Sequence, residues 1–172
     1  GDTLVFLDYY KTLSDIQIND SSYATLDFLI GLSNIKFAKN IEIIENNFHS
    51  YSKLHPKDIR PHIILGDMYF DKNDYFNAIS FYRIAELIDP TNVHTKLFIG
   101  ISLFNVKQYK DALFKFKEII EFDNYNYKAL YYSGLSYLNL FQYNEAINFF
   151  TKALLIDSTD DNLYYNIGLS YD

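Results

Sequence analysis

The sequence contains no cysteine and no tryptophan, and its 172 residues include one methionine and three prolines. The absence of cysteine excludes disulfides, a thiol nucleophile, and zinc or iron–sulfur sites that need thiolate ligands. Basic residues are also few, since 15 Lys and Arg stand against 22 Asp and Glu, which gives a formal charge of −7. We therefore expect no nucleic-acid binding, which normally requires a basic surface.

Long apolar runs and catalytic motifs are absent as well. The chain has no stretch of about 18 apolar residues, so no membrane span is predicted. Its four histidines follow no metal-ligand spacing, and neither a glycine-rich phosphate loop nor a nucleophile elbow occurs. We expect no enzyme activity from this chain, no metal and no cofactor. We expect an intracellular location, either cytoplasmic or nuclear, and a signal peptide is either absent or already removed.

Aromatic residues, by contrast, are abundant. The chain has 17 tyrosines and 15 phenylalanines, and 49% of it is hydrophobic, which excludes a disordered tail and suffices for a sizeable core. Glycine is scarce but regularly placed. After Gly1 the glycines lie 35, 34, 34 and 34 residues apart, and such a period indicates a repeat protein.

Other residue types keep the same period of 34 residues. Each unit contains a glycine, then an alanine, then a large aromatic residue, and we interpret these positions as the core of the repeat. The predicted repeat-core residues are Gly31, Gly66, Gly100, Gly134, Gly168, Ala78, Ala112, Ala146, Tyr82, Phe116 and Phe150.

Each unit predicts two helices. Apolar residues recur at helical spacing over 91–106 and again over 109–121, with short polar segments between and after them. Asn92, Asp123 and Asp160 are the predicted N-caps. The repeated glycine falls inside the first helix, where it costs about 1 kcal/mol relative to alanine. Because this cost recurs in register, it predicts a close approach of the second helix in each pair.

The pattern resembles the tetratricopeptide repeat, a helix–turn–helix unit with a Leu-Gly-x-x-Tyr core, a following Ala-x-x-x-Phe and a closing proline. The residues that carry the resemblance are Leu65-Gly66, Tyr69, Ala78, Tyr82 and Pro90, then Ile99-Gly100, Ala112 and Phe116, and then Ser133-Gly134, Tyr137, Ala146 and Phe150. The resemblance implies an all-α fold, namely a right-handed α-solenoid, or superhelix, of stacked antiparallel helix pairs. Each pair buries its apolar face against its neighbours.

The resemblance also divides the chain. Residues 1–21 are expected to form an N-terminal amphipathic helix, either a cap or a half-repeat, and residues 22–56 a degenerate repeat. Three repeats follow at 57–90, 91–124 and 125–158, and 159–172 form the first helix of a truncated repeat. We expect the chain to be a fragment of a longer array.

In this family the first helices line a concave groove that binds a partner polypeptide. Carried over by helical phase, the resemblance implies the groove candidates Ile63, Ile64, Asp67, Leu97, Phe98, Ile101, Tyr131, Tyr132, Leu135, Tyr165, Asn166 and Leu169, with Phe70, Phe104 and Leu138 beside them. Most of these residues are apolar, so the expected ligand is an apolar amphipathic helix or extended segment. The alternative, that these residues pack between adjacent first helices, stays open.

One subclass of the family binds the acidic C-termini of chaperones through a clamp of Lys, Asn and Arg side chains. That reading is disfavoured here, because Ile63 and Asp67, or their counterparts one period later, cannot donate to a carboxylate. We expect a protein–protein interaction scaffold. The alternative is a regulatory or substrate-recruiting module of a larger enzyme whose catalytic domain lies outside this sequence, and self-association is a third possibility.

Overall fold

The computed structural model of the protein describes residue 29 and residues 41–171. The predicted helix at 1–21 and Gly31 lie outside these residues. Eight helices occur between residues 41 and 171: α1 (Ile41–Leu54), α2 (Arg60–Asp71), α3 (Tyr75–Ile88), α4 (Val93–Asn105), α5 (Tyr109–Phe122), α6 (Tyr127–Asn139), α7 (Tyr143–Leu154) and α8 (Asp161–Tyr171). The described residues contain no strand. None of these helices is both long and apolar enough to cross a bilayer.

The chain divides after Pro61 into two compact units. In the first unit, α1 buries Ile44, Phe48 and Tyr51, which recur at helical spacing along one face. The Tyr51 hydroxyl donates to Asp58 Oδ2 at 2.6 Å, and the Arg60 guanidinium also donates to this carboxylate. The hydrogen bond from Arg60 holds the pKa of Asp58 well below its usual range.

The second unit, from residue 62 onward, is a stack of helix pairs. Each helix from α3 to α7 packs against the next helix along the chain. In addition, α4 packs against α6, and α6 packs against α8. We call α2, α4, α6 and α8 the first helices, and α3, α5 and α7 the second helices. The second unit is thus an all-α solenoid of consecutive helix pairs, as the sequence predicts.

The repeated glycines allow the two helices of each pair to pack closely. A Cβ built on Gly66, Gly100 or Gly134 would lie 2.5 Å from the ring of Tyr82, Phe116 or Phe150 respectively. These rings are fully buried on the second helices, and so are Ala78, Ala112 and Ala146. The absent side chain therefore makes room for the ring of the same pair, and this confirms the close approach that the period predicts.

Turns between the helices of a pair also recur every 34 residues. Asn73, Lys107 and Phe141 adopt left-handed backbone conformations, with φ of 59°, 63° and 59°. In the middle turn, the Gln108 amide donates to the Leu103 carbonyl and the Lys107 amide to that of Phe104, which is the Schellman arrangement at a helix C-terminus. The left-handed position is usually glycine, but this chain places other residues there.

The helix caps follow the prediction at two of three sites. Asn92 caps α4 by accepting from the Thr95 amide at 2.9 Å, and Asp160 precedes α8 and accepts from the Asn162 amide at 2.8 Å. The prediction for Asp123 was wrong. Asp123 is the C-cap of α5, and the N-cap of α6 is Asn126, whose side chain accepts from the Ala129 amide. Asp123 instead accepts from the Tyr125 amide in the turn.

A network of ion pairs joins α3, α4 and α5. The Lys115 ammonium lies 2.8 Å from Glu86 and 3.2 Å from Glu118, and Lys96 reaches Glu118 at 3.0 Å. Burial opposes the charge of Lys115, but its two carboxylate partners outweigh this effect and raise its pKa. Lys115 and Lys96 therefore connect neighbouring helices.

Candidate functional site

Several predicted groove residues are buried between helices. Leu97 and Ile101 on α4 are only 8% and 5% exposed, so an incoming peptide cannot reach them. Asn166 on α8 is also buried, and its side chain hydrogen-bonds the Tyr131 hydroxyl. For these three residues the structure favours internal packing over ligand contact.

Two predicted aromatic residues join successive helix pairs. The Phe98 ring lies 5.0 Å from Phe70 on the preceding first helix and 5.8 Å from Tyr82, centroid to centroid. One period later, Tyr132 repeats this arrangement with Phe104 at 5.6 Å and Phe116 at 5.9 Å. Phe98 and Tyr132 are therefore packing residues that are partly buried.

The remaining predicted residues are accessible. Ile63, Ile64, Asp67, Tyr131 and Leu135 are partly exposed. On α8, Tyr165 and Leu169 lie one turn apart and are largely exposed. Because residues 131 and 165 differ by one period, as do residues 135 and 169, these side chains occupy equivalent positions on neighbouring first helices that pack together. The sequence-predicted set thus separates into a buried part and an accessible part.

We define the first-helix face by six accessible residues of the first helices, namely Asp67, His94, Tyr131, Leu135, Tyr165 and Leu169. Four of its six residues are apolar or aromatic. Burial is the main factor that raises the pKa of Tyr131, so its hydroxyl remains a hydrogen-bond donor at neutral pH.

A polar cluster at one end of this face was not predicted as a unit. Asp67 Oδ1 accepts from the Tyr82 hydroxyl at 2.6 Å and lies 3.0 Å from His94 Nε2. Three consecutive helices, α2, α3 and α4, each contribute one of these residues. The sequence places Asp67 in the predicted groove and Tyr82 in the predicted core, and it assigns no role to His94. Helical phase offered a signal, because His94 lies two turns before Ile101, the counterpart of Asp67 one period later.

The electrostatics of this cluster keep Tyr82 neutral. Burial raises the pKa of Tyr82 far above its usual value, and the hydrogen bond to Asp67 and the nearby charge of Asp71 raise it further. The protonated phenol is therefore a fixed donor to Asp67. Within the described part of the chain, no three His, Asp or Glu residues lie together as metal ligands would. The arrangement is suited to recognition of a ligand by contact and charge.

Comparison with known proteins identifies the repeat. A tetratricopeptide repeat family model matches residues 127–160. The structure is similar to that of MamA 41-end from Desulfovibrio magneticus RS-1, with 20% identity, a TM-score of 0.76, and coverage of 88% of this chain and 84% of that one. No curated protein matches the sequence.

Two further solved structures share the fold. The Arabidopsis OM64 TPR domain is 17% identical, with a TM-score of 0.63 and coverage of 66% of this chain and 93% of that one. The first TPR of Spaghetti (RPAP3), bound to the HSP90 peptide SRMEEVD, is 19% identical, with a TM-score of 0.62 and the same two coverages. At these identities the similarity establishes the fold.

Proposed function

We propose that the chain, in which residues 127–160 match the tetratricopeptide repeat, is a non-catalytic scaffold that binds another polypeptide on the first-helix face. The proposed ligand is an apolar or aromatic segment, either an amphipathic helix or an extended peptide. The observation that carries the proposal is the exposed pair Tyr165 and Leu169, which continues the partly exposed pair Tyr131 and Leu135 on the adjacent first helix.

The energetics support a ligand of moderate affinity. Fully burying an exposed side chain of this size contributes roughly 1.5–3 kcal/mol, and the partly buried Tyr131 and Leu135 would each contribute less. Ordering a peptide on the face costs several kcal/mol, so the surplus corresponds to dissociation constants in about the micromolar range. The similar repeat of Spaghetti is bound to a peptide, which supports peptide binding by this fold. Its acidic peptide does not suit Asp67, so we propose a different ligand chemistry here.

Selection of peptides from a displayed random library tests this proposal. The library should contain peptides of about four helical turns, since an amphipathic ligand needs that length to reach two first helices. Enriched peptides are expected to carry apolar or aromatic residues at helical or alternating spacing. Their dissociation constants can then be measured by fluorescence anisotropy.

The chain offers a matched pair of variants for this measurement. Tyr165 on a first helix is 69% exposed, and Phe114 on the second helix α5 is 61% exposed. Tyr165→Ser should raise the dissociation constant about ten-fold, whereas Phe114→Ser should leave it unchanged. Helical circular dichroism should be intact in both. Equal effects of the two substitutions, or a library that yields no binder, would contradict the proposal.

A further inference from the structure

We infer that the first-helix face selects its partner through a basic side chain, which Asp67 receives beside the ring of Phe98. The inference rests on the proposed function and specifies its ligand, namely an apolar segment that also carries a lysine or arginine. It follows from the polar cluster of Asp67, Tyr82 and His94, which stands at one end of an otherwise apolar surface.

The carboxylate of Asp67 is held in place through only one of its two oxygen atoms. Its Oδ1 atom lies within hydrogen-bond distance of both the Tyr82 hydroxyl and His94 Nε2, whereas Oδ2 has no hydrogen-bond partner among the described residues. The side chain is 42% exposed. An oriented acceptor at the surface favours a charged donor, because the cost of ordering the acceptor is already met by folding.

The surroundings of this carboxylate suit the stem of a basic side chain. The His94 ring lies tilted by 34° against Phe98, with 4.5 Å between centroids, and Phe98 and Phe70 meet edge to face at 5.0 Å. Lysine and arginine place their methylene groups on such apolar rings while the charged end reaches a carboxylate. An aromatic face also attracts a cation directly.

The charges nearby favour a cation over an anion. Asp71 lies one turn beyond Asp67 on α2, close enough to affect the pKa of Tyr82. Across the cluster, α3 contributes the neutral Tyr82 and α4 contributes His94, whose side chain is 43% exposed. A carboxylate ligand would meet two acidic side chains here, and a lysine or arginine would complement them.

The substitution Asp67→Asn tests whether the negative charge is needed for recognition of the ligand, while it keeps the hydrogen bond that supports the structure. The amide keeps an oxygen that can accept from Tyr82, so the tie between α2 and α3 remains, while the negative charge is lost. The matched control is Glu121→Gln, which removes one negative charge from the exposed surface of the second helix α5. Both variants go through the same library selection as the unmodified protein.

Peptides selected on the unmodified protein and on Glu121→Gln should be enriched in lysine or arginine next to apolar residues, and those selected on Asp67→Asn should not. Replacing the basic residue of an enriched peptide by glutamine should raise its dissociation constant on the unmodified protein about ten-fold, the effect of losing one charge-assisted hydrogen bond. The same replacement should have little effect on Asp67→Asn.

The outcomes separate this inference from the proposed function. If peptides bind but carry no excess of basic residues, or if the excess persists on Asp67→Asn, the inference is wrong and the scaffold proposal stands. Enrichment of acidic peptides would also overturn the inference. If the library yields no binder at all, both the inference and the proposed function are wrong. Should Asp67→Asn fail to fold, the glutamine replacement in the peptide still tests the inference on the unmodified protein.

Discussion

Glycine is used in this chain to make room for aromatic rings. Gly66, Gly100 and Gly134 each face a buried ring of the second helix, whereas the Cβ position of Gly168 has no neighbour within 4 Å among the described residues, apart from its own helix backbone and its chain neighbours. The four glycines share one period and one helical context, yet only three are constrained by a neighbour. Gly168 therefore serves as an internal control for the effect of a ring opposite the glycine.

Gly100→Ala should destabilise the protein, and Gly168→Ala should not. At residue 100 the new Cβ would lie 2.5 Å from Phe116 Cε1, and overpacking of this kind costs about 1–3 kcal/mol. At residue 168 the only effect is the better helix propensity of alanine, worth up to about 1 kcal/mol of stabilisation. Urea denaturation of both variants measures the two free-energy changes.

A similar loss of stability in both variants would contradict the packing explanation, because Gly168 has no ring opposite it. Gly134→Ala serves as a second test of the packing site, because its Cβ would meet Phe150 at the same distance of 2.5 Å.

The sequence alone could predict the close approach of two helices at each glycine, but neither the ring that the glycine contacts nor the polar cluster. Gly100 and Phe116 belong to one unit and recur with it, so the period marks both positions without showing that they touch. Asp67 and His94 belong to different units and occur once. Their contact depends on how one pair stacks on the next, which no spacing within a unit encodes.

At the scale of the helices, the turn within each pair contains a residue in the left-handed backbone conformation, which is unfavourable for residues other than glycine. Phe141 follows α6 in a left-handed conformation and is highly exposed. A residue other than glycine pays about 1–2 kcal/mol for such a conformation, because Cβ approaches the following carbonyl oxygen. The turn keeps its Schellman hydrogen bonds, from the Phe141 amide to Leu138 and from the Gln142 amide to Tyr137.

Phe141→Gly should therefore stabilise the protein by about 1 kcal/mol, since glycine adopts the left-handed region without the steric cost. Thermal unfolding followed by circular dichroism is a suitable measurement. Phe141→Ala is the matched control, because it also removes the exposed ring but retains Cβ, and it should bring no gain. If alanine stabilises as much as glycine does, the exposed ring and not the backbone is responsible.

Helix boundaries were predicted well and capping residues less well. The predicted second helix at 109–121 is observed at Tyr109–Phe122, because its apolar spacing is long and regular. The choice between Asp123 and Asn126 as a cap could not be made from residue type, since Asp and Asn are equally good N-caps. The conformation of the turn determines which residue caps the helix. Asp123 accepts a hydrogen bond from the Tyr125 amide within the turn, and Asn126 is therefore the N-cap of α6.

At the scale of the second unit, the period predicted the stack of helix pairs but not which of its residues are accessible. Leu97 and Tyr165 occupy equivalent positions, yet Leu97 is buried and Tyr165 is exposed. Equivalent phase fixes the direction of a side chain. Its exposure depends on the size of the residues around it and on the helices packed beside it, which differ from one pair to the next.

This uneven burial implies uneven stability along the stack. In a repeat protein each pair contacts only its neighbours, so opening can occur one pair at a time. Helix α4 packs against α3, α5 and α6, whereas α8 packs against α6 and α7 and leaves Gly168 uncovered. We expect amide hydrogen exchange in α8 to be about a hundred-fold faster, relative to unfolded reference rates, than in α4.

Two buried residues provide matched variants for hydrogen exchange measured by mass spectrometry. Leu163→Ala removes a fully buried side chain from α8, and Ile99→Ala removes one from α4. Both should lose about 2–5 kcal/mol of local packing. The loss in α8 should accelerate exchange in α8 and leave α4 largely protected, whereas the loss in α4 should accelerate exchange in α3, α5 and α6 as well. Equal protection of α4 and α8, or uniform acceleration by both substitutions, would instead mean that the second unit opens as a single cooperative block.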